Sequence, residues 1–313
     1  MQKAKSQRNA LGEALVCLGD KNEKLVVLSP DVGKSTRVLI FNSRYPDRYF
    51  CTGISEQNTV GLASGLASMG WSPVIAAYAM FICGKSWEQI RNSVCYPNLN
   101  VKIVAIHGGI NVGQDGVTHQ SIEDIALMRA IPGLTALAPC DANEVLPLLR
   151  LALSKEGPVY IRLEREPMPI ISQSKNSYKI GGSSRLRDGN DITIIAVGGM
   201  VWKALEAAEI LASEGIQAAV INMYSLKPID RGAIIKAASE TKCIITAEDH
   251  NRIGGLGSAV AEIIVQSKMV HMEIIAVDDT FAESGKAKDL FEKYHLTVGD
   301  IVNSARRCYE KVN

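Results

Sequence analysis

Runs of strand length dominated by Val, Ile, Leu and Ala alternate with longer amphipathic stretches along most of the chain. The runs at 25–28, 74–76, 101–106, 135–138 and 159–161 predict buried strands. Between them, residues 9–18, 56–69, 86–94, 122–130 and 142–153 carry apolar positions at helical spacing, with Ser121 and Asp141 placed as N-caps. Continuous rather than alternating apolar strands mean a sheet covered on both faces, and strand–helix alternation means βαβ units. The pattern stops after Arg165. Residues 166–190 are rich in Pro, Ser, Gly and Lys without periodicity and read as a linker. A second series follows, with strands at 192–197, 218–222, 243–246 and 273–276 and helices at 201–212, 230–239 and 256–266. The expectation is an α/β protein of two domains, 1–168 and 191–313, joined by a linker at 169–190. Each domain is a mainly parallel sheet flanked by helices.

Composition narrows the function. A length of 313 residues suffices for two cores. A net charge of +1 argues against nucleic-acid binding, which needs a basic face. Seven scattered cysteines with no C-x-x-C pair argue against a disulfide framework or a zinc site, and point to a reducing, cytoplasmic setting. The polar, basic start of the chain is not followed by a long apolar core, so no signal peptide is expected. The apolar stretch 73–83 is too short to cross a bilayer, so a soluble protein is expected.

Two blocks carry candidate chemistry. Glu56 opens a helix whose neighbours are Gly53, Gly61, Ala63 and Gly65, small residues that would let backbone pack against it. A carboxylate in such dry surroundings would hold its proton toward neutral pH, although a glutamate at a helix start is as often a dipole-complementing surface residue. The second block runs from His107 to Gln120. His107 follows the strand at 101–106, and ligands of parallel sheets bind beyond the carboxyl ends of strands. Glycines at 108, 109, 113 and 116 form a long loop able to approach a ligand, and Asp115 and His119 stand on or just past it. A Gly-Gly-Leu-Gly run at 254–257 reads better as a tight helix start than as a phosphate loop.

The runs 53–67, 76–91 and 107–120, continued by Ala247-Glu248-Asp249-His250 and Gly254–Gly257, resemble transketolases. More specifically, the chain is similar over nearly its whole length to the carboxy-terminal subunit of transketolases split into two polypeptides. The resemblance implies thiamine diphosphate as cofactor. Glu56 would hydrogen-bond N1′ of its aminopyrimidine, and Phe81 and Tyr78 would enclose the ring. Gly84 departs from the further aromatic found in longer members. His119 would act at the donor's reactive hydroxyls and Asp115 at the acceptor's C2 hydroxyl. His107, Arg8, Ser35 and Arg165 would hold the sugar phosphate, a chemistry suited to guanidinium groups. Asp31 matches an acidic loop position with no separable role.

The G-D-G and asparagine that bind Mg²⁺ and the diphosphate in these enzymes are absent, since neither Asp115-Gly116 nor Asp188-Gly189 carries flanking ligands. The resemblance therefore implies an N-terminal transketolase subunit as obligate partner, holding Mg²⁺ and the diphosphate, in an α2β2 heterotetramer. It implies transfer of a two-carbon ketol unit between sugar phosphates. Other readings stay open: a 2-oxo-acid dehydrogenase β subunit, half of a deoxyxylulose-phosphate synthase, or a non-catalytic regulatory subunit of the same fold.

Overall fold

The computed structural model describes residues 4–172 and 177–312, so residues 173–176 of the expected linker lie outside the described residues. Twelve strands form: Leu25–Ser29 (β1), Tyr49–Cys51 (β2), Ser72–Tyr78 (β3), Lys102–Ile106 (β4), Thr135–Leu137 (β5), Val159–Leu163 (β6), Ser184–Arg187 (β7), Ile192–Ala196 (β8), Ala218–Asn222 (β9), Ser225–Lys227 (β10), Cys243–Asn251 (β11) and His271–Val277 (β12). The first sheet has the order β10-β5-β6-β4-β3-β1-β2 and the second β12-β11-β8-β9-β7. Every pairing is parallel except β10 on β5 and β7 on β9. The strands β1, β4, β6, β8 and β9 are buried along their whole length, which is why they read as mainly apolar runs.

Several features depart from the pattern reading. Strand β7 falls in the stretch assigned to the linker. It is an edge strand, Ser-Arg-Leu-Arg, half-buried and antiparallel, so a single leucine leaves no apolar run. Strand β10 crosses from the second half of the chain to close the first sheet. The helix at the end of the chain, Val298–Val312, packs one apolar face on the second sheet through Ile301, Val302, Ala305 and Cys308. Ser121 caps nothing: the helix it was expected to start begins at Asp124, and the Ser121 carbonyl instead accepts the Gly109 N–H at 2.6 Å. Asp141 does cap its helix, accepting from the N–H groups of Asn143 and Glu144.

The two domains share a polar seam centred on β11. Asp249 accepts the N–H groups of Ile110 and Asn111 at 2.8 and 3.2 Å, and the Arg162 guanidinium donates to the Asp249 carbonyl at 2.7 Å. His250 Nε2 receives the Ala126 N–H. Glu248 accepts from Leu256 and Gly257, so the glycine run at 254–257 starts the helix Leu256–Ile264 over that carboxylate. No helix among the described residues is long and apolar enough to cross a membrane.

Candidate active site

The parallel strands deliver the predicted residues to one edge. Beyond the carboxyl end of β1 the chain reaches Ser35, and beyond β2 it turns through Gly53 into the helix Glu56–Ser68. Strand β3 ends at Tyr78, and the helix Ala79–Lys85 that follows carries Phe81. Strand β4 ends just before His107, and β6 just before Glu164 and Arg165. Register places Tyr78 beside Ile106 and Ile106 beside Leu163, so these exits lie side by side. Arg8 comes from the helix Gln7–Gly19, whose Gln7 side chain bridges the Pro139 carbonyl and the Glu164 N–H.

Contacts join six of the nine predicted residues into one chain, while Arg165 and Asp115 form a separate pair and Glu56 is reached through Lys85. The Tyr78 ring stacks on His107 with centroids 4.3 Å apart, and its hydroxyl donates to Ser35 Oγ at 2.7 Å. Arg8 Nη1 donates to the Ser35 carbonyl at 3.1 Å. His119 lies edge-on to Phe81 at 5.0 Å and to Tyr78 at 6.0 Å, with Nδ1 2.9 Å from Thr118 Oγ1. Arg165 pairs with Asp115 at 3.2 Å. Tyr78 is thus in contact with two of the residues expected to hold the sugar phosphate.

His107 is the most constrained member. It is buried, its φ of 68° lies in the left-handed region, and neither ring nitrogen has a hydrogen-bond partner among the described residues. A non-glycine residue held there costs about 1–3 kcal/mol, and such strain gathers at functional sites. Burial, and then Arg8, Arg165 and His119, push its pKa down to about 3. At neutral pH the imidazole is uncharged, and Arg8 and Arg165 act on it electrostatically. Burial, then Arg165 and Arg37, also lower the Arg8 pKa. An anion entering this cluster relieves both effects, so the cluster fits a phosphate.

Glu56 is buried as expected, but its surroundings differ. Lys85 Nζ lies 3.1 Å from its Oε2 and 4.8 Å from the Phe81 ring centroid. The glycines beside it do not receive backbone: a Cβ at Gly53, Gly61 or Gly65 would meet nothing within 4 Å. Ile54 and Met69, at the two ends of this face, are 78% and 79% exposed. Ile54, Ser55, Glu56, Gln57, Asn58 and Lys85 line an open cleft of about 470 Å³.

The loop glycines also serve a different purpose from the expected one. A Cβ at Gly109, whose φ is 79°, would lie 2.2 Å from Asp249 Oδ2, and one at Gly116 would lie 2.2 Å from Ser284 Oγ. They make room for the second domain rather than for a ligand. Lys85, Asn111 and Gln7 escaped the sequence reading. For Lys85 a signal existed: it follows Phe81 by four residues on one helix, so both share a face.

A buried carboxyl beside an aromatic ring fits the pyrimidine of thiamine diphosphate. Among the described residues no group of three or more His, Cys, Asp or Glu could hold a metal ion.

Comparison with known proteins agrees with this architecture. The transketolase pyrimidine-binding domain matches residues 3–169, and the transketolase C-terminal domain matches residues 181–301. The chain is 43% identical over 311 residues to a putative transketolase C-terminal section of Methanocaldococcus jannaschii, covering 98% of this chain and 96% of that protein. It is 38% identical over 306 residues to a 6-deoxy-6-sulfo-D-fructose transketolase subunit of a Clostridium species, covering 98% and 95%. A 1-deoxy-D-xylulose-5-phosphate synthase of Desulforudis audaxviator is 39% identical over 298 residues, 94% of this chain but 47% of that longer protein. Among solved structures, a split gene transketolase described as an inactive beta4 tetramer superposes with a TM-score of 0.92 at 44% identity, covering 98% of this chain and 99% of that one. The chain belongs to the transketolase family and corresponds to the C-terminal section of its split form.

Proposed function

We propose that the chain is the C-terminal subunit of a thiamine-diphosphate-dependent transketolase, moving a two-carbon ketol unit from a ketose phosphate to an aldose phosphate. One observation carries the reading: a buried carboxyl at Glu56 and a phosphate-fitting cluster of His107, Arg8, Ser35 and Arg165 stand at one edge of one sheet. Phe81 and His119 lie between them.

When bound, thiamine diphosphate supplies the electron sink for cleavage of a carbon–carbon bond beside a carbonyl. The chain's own residues do the rest. Glu56 would hydrogen-bond the aminopyrimidine N1′, and Phe81 would form a wall of the ring. His119 stands where it can orient and exchange protons with the donor's hydroxyls. Asp115, fixed by Arg165, accepts from the acceptor's C2 hydroxyl. The two arginines, His107 and Ser35 anchor the phosphate, so that its binding energy positions the distant reacting carbons.

The partner is an N-terminal subunit that brings Mg²⁺ and the diphosphate site, in an α2β2 assembly placed in the cytoplasm. The helix face beside the Glu56 cleft, where Gly53, Gly61 and Gly65 meet no neighbour and Ile54 and Met69 are exposed, supports such a partner. The test is reconstitution with that subunit. Turnover of xylulose 5-phosphate with ribose 5-phosphate is expected, with no pyruvate consumed. Pyruvate consumption would assign the chain to synthase chemistry, which the 39% identity to 1-deoxy-D-xylulose-5-phosphate synthases keeps as the second reading. Tight binding of thiamine diphosphate and Mg²⁺ by the purified chain alone would refute the shared site.

A further inference from the structure

Arg165 reaches the phosphate cluster from a segment that leaves the sheet after β6, and something must fix that segment. Asn111 does so. Its Oδ1 accepts two backbone N–H groups, from Arg165 at 3.1 Å and from Glu166 at 2.7 Å. An amide oxygen has two lone pairs, so both bonds can form together. Asn111 is itself tied down, its N–H donating to Asp249 Oδ2 at 3.2 Å across the domain boundary, with Ile110 donating to Oδ1 at 2.8 Å. Asp249 lies on β11, fully buried. The guanidinium end of Arg165 then bonds the Val112 carbonyl and Asp115, both on the loop that Asn111 begins.

We infer that Asn111 is a positioning residue: it touches no substrate, but locks Arg165 to the second domain and so sets affinity for the phosphorylated end of the substrate. This rests on the reading of Arg165 as a phosphate ligand. The surroundings of Asn111 explain why it has to be a short acceptor. Its side chain borders a cavity of about 460 Å³ between the domains, with Met168, Trp202 and Phe291 among the walls. An apolar residue of the same size would remove both part-buried bonds, each worth about 0.5–1.5 kcal/mol. The segment would shift, taking Arg165 with it.

The test uses the complex reconstituted with the N-terminal subunit. KM and kcat are measured for xylulose 5-phosphate with ribose 5-phosphate, and for unphosphorylated xylulose with ribose. Arg165→Ala is the reference and should raise KM for the phosphorylated pair about 10- to 100-fold, as expected for a charge-assisted contact. Asn111→Leu should raise the same KM about 5- to 30-fold and leave the unphosphorylated pair within about twofold. Asn111→Asp, which keeps an acceptor, should stay within about threefold of the parent on both. Asn111→Ser, too short to reach both N–H groups, is read the same way as Asn111→Leu if that variant fails to fold. An Asn111 effect that is equal on both substrate pairs, or absent on both, overturns the inference while Arg165→Ala still discriminates. If Arg165→Ala itself does not discriminate, the phosphate reading fails instead.

Discussion

Lys85 Nζ sits 3.1 Å from Glu56 Oε2, with the carboxylate buried and the ammonium half exposed. The same nitrogen lies over the Phe81 ring. A cation therefore stands between the acid and the aromatic wall, where the proposed reading places a heteroaromatic ring. An ion pair with one partner this exposed is worth about 0–1 kcal/mol, so a ligand can open it at little cost.

That placement predicts the effect of Lys85→Met. If the ammonium must leave before the ring enters, its removal should tighten thiamine diphosphate binding to the reconstituted complex by about two- to fivefold, the equivalent of less than 1 kcal/mol. Titration calorimetry on the complex measures this. Weaker binding would show that Lys85 contacts the cofactor instead of yielding to it.

Glu56→Ala should lower turnover of the reconstituted complex by at least about 100-fold, the lower end of what a positioned acid or base contributes. The carboxylate's only charged partner within 4 Å among the described residues is the half-exposed Lys85, so assembly should survive. Size-exclusion chromatography beside the activity assay separates the two. A variant that assembles and retains most of its turnover would remove Glu56 from the mechanism.

How much of this was legible in the residues divides along physical lines. The buried strands were, because a strand covered on both faces is mostly apolar, with rare paired exceptions such as Arg162. Asp141 was legible as a cap, because that bond is local. Contacts distant in sequence were not: β10 pairs with β5 across domains, and the loop glycines make room for Asp249 and Ser284, each more than a hundred residues away. Glu56, His107, Asp115 and His119 stood out by type and setting, whereas Phe81, Tyr78, Arg8, Ser35 and Arg165 were named only through the family resemblance. The left-handed backbone of His107 could not be read, since nothing in the local sequence announces a positive φ at a histidine. Nor could the Tyr78 hydroxyl bond to Ser35, which depends on how β1 and β3 exit the sheet.

That bond leads to a prediction of its own. Tyr78→Phe keeps the stack on His107 and loses only the 2.7 Å bond to Ser35 Oγ. KM for phosphorylated substrates should rise about two- to tenfold, the range of one neutral hydrogen bond, with kcat nearly unchanged. A large fall in kcat with KM intact would place the hydroxyl at the reacting carbons instead.

Beneath the site, Arg162 Nε pairs with Asp124 Oδ2 at 2.9 Å, with both side chains almost fully buried, and Tyr160 donates to the same carboxylate at 2.6 Å. Removing one partner strands a charge. Arg162→Met should therefore destabilise the chain by about 3–5 kcal/mol in urea unfolding, whereas replacing Arg162 and Asp124 together by apolar residues should recover most of the loss. If the double variant is as unstable as the single one, the pair is not what the core depends on.

His107 sets the last expectation, through its depressed pKa. The unfolded chain takes up a proton at this residue as pH falls through about 6.5, while the folded chain refuses it until about 3. Between those values the unfolded state binds more protons, so folded stability falls as pH falls, by about 1.4 kcal/mol per pH unit for this one group. Above pH 6.5 the contribution is constant. His107→Asn removes the titration while keeping a residue that tolerates a positive φ. The stability difference between parent and variant should therefore be flat from pH 8 to about 6.5. Below that the variant should gain on the parent. Inorganic phosphate should reduce the acid-side loss in the parent only, because an anion in the cluster favours the imidazolium and raises its pKa. Urea titrations of both proteins across this range, with and without phosphate, provide the measurement. A difference that does not change with pH would mean that His107 is not held neutral by its surroundings, and a phosphate effect of equal size in both proteins would place the anion somewhere else.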